Sequence, residues 1–274
     1  MLGLKQLFRF YINASIHVAF AVVSLYIVSV QNLNIAFNGN IAGFLFFATI
    51  VCYNFVKYGV EAKKYFIVSK PSHRPIQVFS FVAFGVCLYF FFLLPMRLWF
   101  VIAVLTLISG FYAIPLLPSS RNLRSLGGFK IFLVAVVWVG FTVVLPTIEQ
   151  QLGFSSRSLL LGFQNFILVI ILILPFEIRD LQYDTPDLKT LPQRFGIAKT
   201  KMVGYWLIPV HFLITLLQDG RALEMMFSEF LLCLFLVFML YCTKKQQRPY
   251  FSSFWVEGIP ILWALLIKLL EIVV

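Results

Sequence analysis

The apolar positions of this chain of 274 residues come in runs, with the charged residues gathered between them. Nine runs are long enough to cross a hydrocarbon core of about 30 Å as a helix. They cover 12–30, 41–57, 78–95, 98–117, 129–146, 159–176, 202–217, 227–242 and 259–274. The seventh is short and carries Pro209 and His211. The residue before a proline resists helical geometry, so a kink is expected there. The pattern predicts an all-α polytopic membrane protein, a bundle of nine transmembrane helices forming one domain over residues 1–274.

Composition agrees. Hydrophobic residues make up 61% of the chain and charged residues 12%, where a soluble domain carries about a quarter charged. The 32 phenylalanines and their apolar neighbours leave too few polar groups to cover a surface in water, so the bilayer is the main solvent. Of the 22 Lys and Arg, 18 fall on the side of the N-terminus, and only Arg97, Arg157, Arg221 and Lys268 fall on the other. The positive-inside rule then predicts a multi-pass cell-membrane protein with its N-terminus cytoplasmic and its C-terminus outside. The net charge of +11 is spread over five separate inner segments. It fits anionic lipid headgroups and not a nucleic-acid partner.

Several simpler chemistries are excluded. The first run follows Lys5 and Arg9 as in a signal peptide, but it is longer than a signal core and lacks a small-x-small cleavage site, so it reads as a retained span. Cys52, Cys87, Cys233 and Cys242 lie in or beside apolar runs, at spacings of neither a disulfide frame nor a zinc site. They read as small buried hydrophobes. His17, His73 and His211 stand far apart and read as core or interfacial residues. The motifs of nucleotide hydrolases, serine hydrolases and zinc proteases are missing from the sequence.

Carboxylates are scarce, yet four of the 11 acidic residues, Glu177, Asp180, Asp184 and Asp187, fall together just after the sixth run. Glu177, Asp180 and Asp184 follow i, i+3, i+7 spacing, which on a helix places them within about 80° of one another. Like charges so close repel unless something positive joins them. Two readings meet that need. One is a single Mg²⁺ held by carboxylates and phosphate oxygens; the other is a solvated helix end paired with Arg179, Lys189 or Arg194.

The segment "EIRDLQYDTPDLKTLPQRFG" resembles the second aspartate-rich motif of the UbiA superfamily of intramembrane prenyltransferases. Glu177, Asp180 and Asp184 take its acidic positions, and Lys189, Thr190, Leu191, Pro192 and Gly196 match its tail. Arg74-Pro75, Tyr112 with Pro115, and Trp138 are similar to further family features. The first aspartate-rich motif is degenerate. Asn54 is kept, but Phe55, Tyr58 and Ala62 stand where aspartates belong, Glu61 is one position off register, and Lys57 adds a positive charge.

The resemblance implies a membrane prenyltransferase that moves an isoprenyl group from a polyprenyl diphosphate to an aromatic or other lipophilic acceptor on the cytoplasmic side. It implies Glu177, Asp180 and Asp184 as ligands of one Mg²⁺, with Asp180 and Asp184 in the catalytic site. Asn54, Lys57, Arg74, Tyr112 and Lys189 are the expected substrate contacts, with Lys57 standing in for one metal as a point charge. A snorkelling cation at a helix end is the plainer reading of Lys57. Two other classes remain: a catalytically silent prenyl-lipid-binding protein or partner subunit, favoured by the lost aspartates, and a secondary transporter, for which the repeats that such folds show are not evident.

Overall fold

A computed structural model describes residues 2–59, 73–113, 128–151, 153–184, 188–218 and 222–273. Glu61, Ala62, Lys63, Lys64, Pro115 and Asp187 lie outside the described residues. Among those described the chain is helical, without a strand. Its helices are α1 (Leu2–Asn13), α2 (Ile16–Leu33), α3 (Gly39–Asn54), α4 (Arg74–Leu93), α5 (Met96–Ala113), α6 (Phe129–Val139) and α7 (Leu145–Glu149). There follow α8 (Ser156–Asp180), α9 (Leu191–Leu216), α10 (Leu223–Cys242) and α11 (Ile259–Val273). Wide π turns extend α3 through Phe55–Gly59, join α6 to α7 through Gly140–Val144, and lead into α11 through Phe251–Val256.

Seven stretches among the described residues are long and apolar enough to cross a bilayer: Ile16–Leu33, Gly39–Tyr58, Arg74–Leu93, Phe129–Glu149, Ser156–Asp180, Leu223–Cys242 and Phe251–Ile272. Met96–Tyr112 is apolar but shorter. The run 202–217 lies in α9, whose first half carries Arg194, Lys199 and Lys201. Length and composition therefore establish a polytopic membrane protein without establishing nine spans.

Two expectations about breaks change. The first run is cut at Ser15, whose φ of 60° separates α1 from α2. In α9 the residue with non-helical dihedrals is Gly196 (φ 79°, ψ 166°), while Pro209 lies inside the helix. At the start of this helix the Thr190 N–H donates to Gln193 Oε1 at 3.0 Å, and Pro192 sits in the first turn, where its missing N–H costs nothing. The Lys-Thr-Leu-Pro tail is thus a helix start, and the glycine after it is a required break in that helix.

The helix ends sort into two groups by their contacts. At one end Lys57 meets Ser15, Lys130 meets Glu177, and Gln247 donates to the Pro175 carbonyl at 2.7 Å. At the other, Asn38 and Gln150 meet Glu149, and Gln31 meets Glu271. Helix α8 runs between them through the middle of the bundle, packed by α2, α6, α9 and α10. Ile167 through Leu172 and Leu174 are all buried, so this helix is apolar around its whole girth. By contrast α4 and α10 turn Phe81, Phe84, Phe92, Phe235 and Phe238 outward, where lipid replaces protein contact.

At the opposite end, buried Gln164 of α8 donates to Thr215 of α9 at 2.8 Å and to Glu229 of α10 at 3.0 Å. Gln218 donates to Gln164 at 3.0 Å, and His211 lies 3.7 Å from Glu229. Buried polar groups must be paired in a low-dielectric interior, so this cluster fixes the register of the three helices.

The φ/ψ pair of Gly196 is one that only glycine adopts at ease. A Cβ there would meet no atom within 4 Å, so substitution would report the backbone alone. Gly196→Ala is expected to cost about 1–3 kcal/mol, seen as a lower unfolding midpoint in detergent. An unchanged midpoint would contradict the assigned backbone geometry.

Candidate functional site

Helix α8 is apolar until its last turn, and there the acidic residues begin. Glu177 is 3% exposed, which places a carboxylate on a helix enclosed by its neighbours. Its partner comes from another element: Lys130, in the first turn of α6, brings Nζ to 2.7 Å from Glu177 Oε1. The same ammonium lies 3.8 Å from Asp184 Oδ2. Asp180 points elsewhere and accepts a 2.7 Å hydrogen bond from Arg179 Nε. The Arg179 guanidinium also lies 5.0 Å from the centre of the Phe176 ring. The three carboxylates predicted to act together are therefore divided, with two on Lys130 and one on Arg179.

The first-motif positions have a different use. Asn54 donates to the Ala14 carbonyl at 3.1 Å and to Ser80 at 2.9 Å. Lys57 donates to Ser15 Oγ at 2.9 Å, and Tyr58 donates to the Asn13 carbonyl at 3.1 Å. These residues clasp the break between α1 and α2, whose carbonyls lack helical partners. Glu257, at the start of the last span, and Arg179 lie close enough to act on the Lys57 charge. Arg74 and Lys189 are exposed at this same end, at the start of α4 and just before α9, and neither is paired with Glu177, Asp180 or Asp184.

Beside the ion pair, toward the middle of the bundle, is a cavity of about 120 Å³. Leu133 and Val134, one turn along α6 from Lys130, form part of its wall, together with Cys52 and Tyr53 of α3 and Tyr112 of α5. Trp138 also lines it and donates from Nε1 to the Tyr53 hydroxyl at 3.1 Å. An apolar cavity of comparable size in another protein holds benzene, so this one has room for a group about as large as an isoprene unit. Tyr112 also lies close enough to Lys130 to interact with its charge. Polar and apolar recognition elements thus stand side by side.

Neither protein-family models nor curated protein sequences match the chain. A solved structure of a digeranylgeranylglyceryl phosphate synthase does match. It superposes with a TM-score of 0.55 over 98% of this chain and 98% of its own, at 10% sequence identity. The chain has the UbiA-type membrane prenyltransferase fold. At that identity the likeness concerns backbone architecture, and the UbiA-type fold is recognised here by helix arrangement along nearly the whole chain.

Two charged residues at this end are not among those expected from the sequence, Lys130 and Glu257. Each is a lone charge in the first turn of, or just before, an apolar run. That position was itself a signal, because an ionisable group held within a span calls for a named partner. Glu177 is 47 residues from the Lys130 it pairs with, and Glu257 is 200 residues from the Lys57 charge it influences, so spacing could not supply them.

Two buried carboxylate oxygens, Glu177 Oε2 and Asp184 Oδ2, have no hydrogen-bond donor among the described residues. Among those residues no three His, Cys, Asp or Glu form a group able to hold a metal. Glu177 and Asp184 offer two carboxylates, so a cation held there would take its remaining ligands from phosphate oxygens and water.

Removing one partner of a buried ion pair strands the other. Lys130→Met is expected to destabilise the protein by about 3–5 kcal/mol, and adding Glu177→Gln is expected to restore most of that. Thermal unfolding in detergent checks this. Equal losses in the single and double variants would contradict the pairing.

Proposed function

We propose that the chain is a membrane prenyltransferase that binds a polyprenyl diphosphate at its charged end and transfers the prenyl group to a lipophilic acceptor. The observation that carries this reading is the buried Lys130–Glu177–Asp184 group beside an aromatic-walled cavity, set in a UbiA-type fold. The whole chain then acts as one transmembrane domain of nine spans. Its charged end lies in the cytoplasm, as the distribution of basic residues requires.

The charges decide what must accompany the substrate. The more buried cations Lys57, Lys130 and Arg179 are already opposed by Glu177, Asp180, Asp184 and Glu257. With those cations taken up by carboxylates, a diphosphate is held more strongly once a divalent cation joins it. Glu177 and Asp184 would hold one Mg²⁺, which when bound supplies charge to the leaving diphosphate. Lys57, Lys130 and the exposed Arg74 and Lys189 supply further positive charge around the head group. The allylic C–O bond breaks with its electron pair leaving on the diphosphate. A nucleophilic atom of the acceptor then bonds to that carbon and gives up its proton. Tyr112, Tyr53 and Trp138 present aromatic faces where the allylic carbon carries positive charge.

A second reading, a silent prenyl-lipid-binding protein, is favoured by one observation. Asn54, Lys57 and Tyr58 are spent on the α1–α2 break. The two readings differ in turnover.

Membranes containing the chain, given labelled polyprenyl diphosphate, Mg²⁺ and a lipid extract, are expected to form a new labelled lipid. Glu177→Gln and Asp184→Asn are expected to slow its formation by about 10²–10³-fold, the usual effect of removing one electrostatic contact to a transition state. Labelled lipid that binds the native chain without conversion would leave the silent reading.

Orientation is tested with single cysteines in a variant lacking the four native ones. Cysteine at Ser156 is expected to react with an impermeant thiol reagent on intact cells, and cysteine at Lys245 only after permeabilisation. The reverse pattern would place the charged end outside.

A further inference from the structure

Lys130 sits where helix physics disfavours it. It lies in the first turn of α6, whose N-cap Gly128 offers no side chain, and the exposed N–H groups of a helix N-terminus repel a cation. The residue is nonetheless 9% exposed and drawn inward. Nothing in α6 itself explains that position; the two carboxylates of the α8 end do, at 2.7 and 3.8 Å. Glu177 Oε2 is buried without a hydrogen-bond donor among the described residues, and so is Asp184 Oδ2, which faces the ammonium from beyond hydrogen-bond distance. The ammonium therefore neutralises charge while leaving the acceptor capacity of the site unfilled.

We propose that Lys130 is a built-in placeholder cation, which competes with a divalent cation for Glu177 and Asp184 and is displaced when the ion binds. A lysine suits such exchange. Its ammonium is a point charge on a flexible stem and can swing toward the head-group region without unfolding the helix. A displaced Lys130 becomes a contact for an anion at the same mouth, so one residue keeps the empty site neutral and lends charge to the filled one. The inference deepens the ion site of the proposed transferase, but it needs no transfer to be true.

The test uses the purified full chain in nanodiscs, titrated with Mn²⁺, with free ion read by electron paramagnetic resonance and no prenyl substrate present. Lys130→Met is expected to bind one Mn²⁺ about tenfold more tightly than the native chain, which corresponds to removing about 1.4 kcal/mol of competition. Lys130→Arg, which retains the charge, is expected to stay within a few-fold of native. Adding Glu177→Gln to Lys130→Met is expected to abolish the gain. Equal Mn²⁺ affinity in native and Lys130→Met protein would overturn the proposal, as would a gain that survives Glu177→Gln. A second measurement needs no variant. Acetylation of Lys130 in the native chain, mapped by mass spectrometry, is expected to rise several-fold when Mg²⁺ is added, and labelling indifferent to Mg²⁺ would overturn the proposal equally. Because prenyl diphosphate is absent from both experiments, failure of the placeholder and failure of the transferase reading are separate results.

Discussion

A carboxylate at the end of a helix enclosed on every side stays ionised only where a cation is brought to it, and Lys130 is that cation. Helix α8 is the axis of the bundle, and its last turn lifts Glu177 into the protein while leaving Asp180 half-exposed. The ion pair therefore ties α6 to α8 at the point where apolar packing gives way to charge. Membrane helices gain little from apolar contact with one another, because lipid is as apolar as a neighbouring helix. Polar contacts such as Lys130–Glu177 at one end and Gln164–Glu229 at the other consequently set the register of the bundle.

Much of this was legible in the sequence. The apolar runs, the end of α8 in an acidic cluster, and the likeness of its tail to the UbiA motif lead to the fold found by structural comparison. The helix start at Thr190 to Gln193 and the break at Gly196 lie ahead of the run 202–217, whose expected kink was at Pro209. Periodicity within one run predicts which residues share a face, and so it brought Glu177, Asp180 and Asp184 together. It carries no information about partners from other helices. Lys130 divides that acidic group by coming from α6, and Glu257 comes from the start of the last span. The hydrophobic pattern also missed the cut at Ser15, a left-handed backbone angle inside the run 12–30.

The degenerate first motif acquires a physical meaning. A second acidic helix end would add negative charge beside Glu177, Asp180, Asp184 and Glu257. Lys57 instead offsets Glu257 and holds the α1–α2 break, with Asn54 and Tyr58 completing the clasp. Phe55 and Tyr58, where the motif has aspartates, and Lys57 thus stand in one electrostatic arrangement with the break between α1 and α2. Its apolar complement is the cavity walled by Tyr53, Tyr112 and Trp138, which adjoins the charged mouth without entering it.

The central claim is that the Lys130–Glu177–Asp184 group is the head-group end of a prenyl diphosphate site. Cryo-electron microscopy of the chain in nanodiscs with Mg²⁺ and a non-reactive prenyl thiodiphosphate tests this most directly. The expected result is an ion joining Glu177 and Asp184 to the diphosphate, the first isoprene unit beside Tyr112 and Trp138, and Lys130 turned onto a phosphate oxygen. A ligand bound elsewhere, with Lys130 still on both carboxylates, would contradict it.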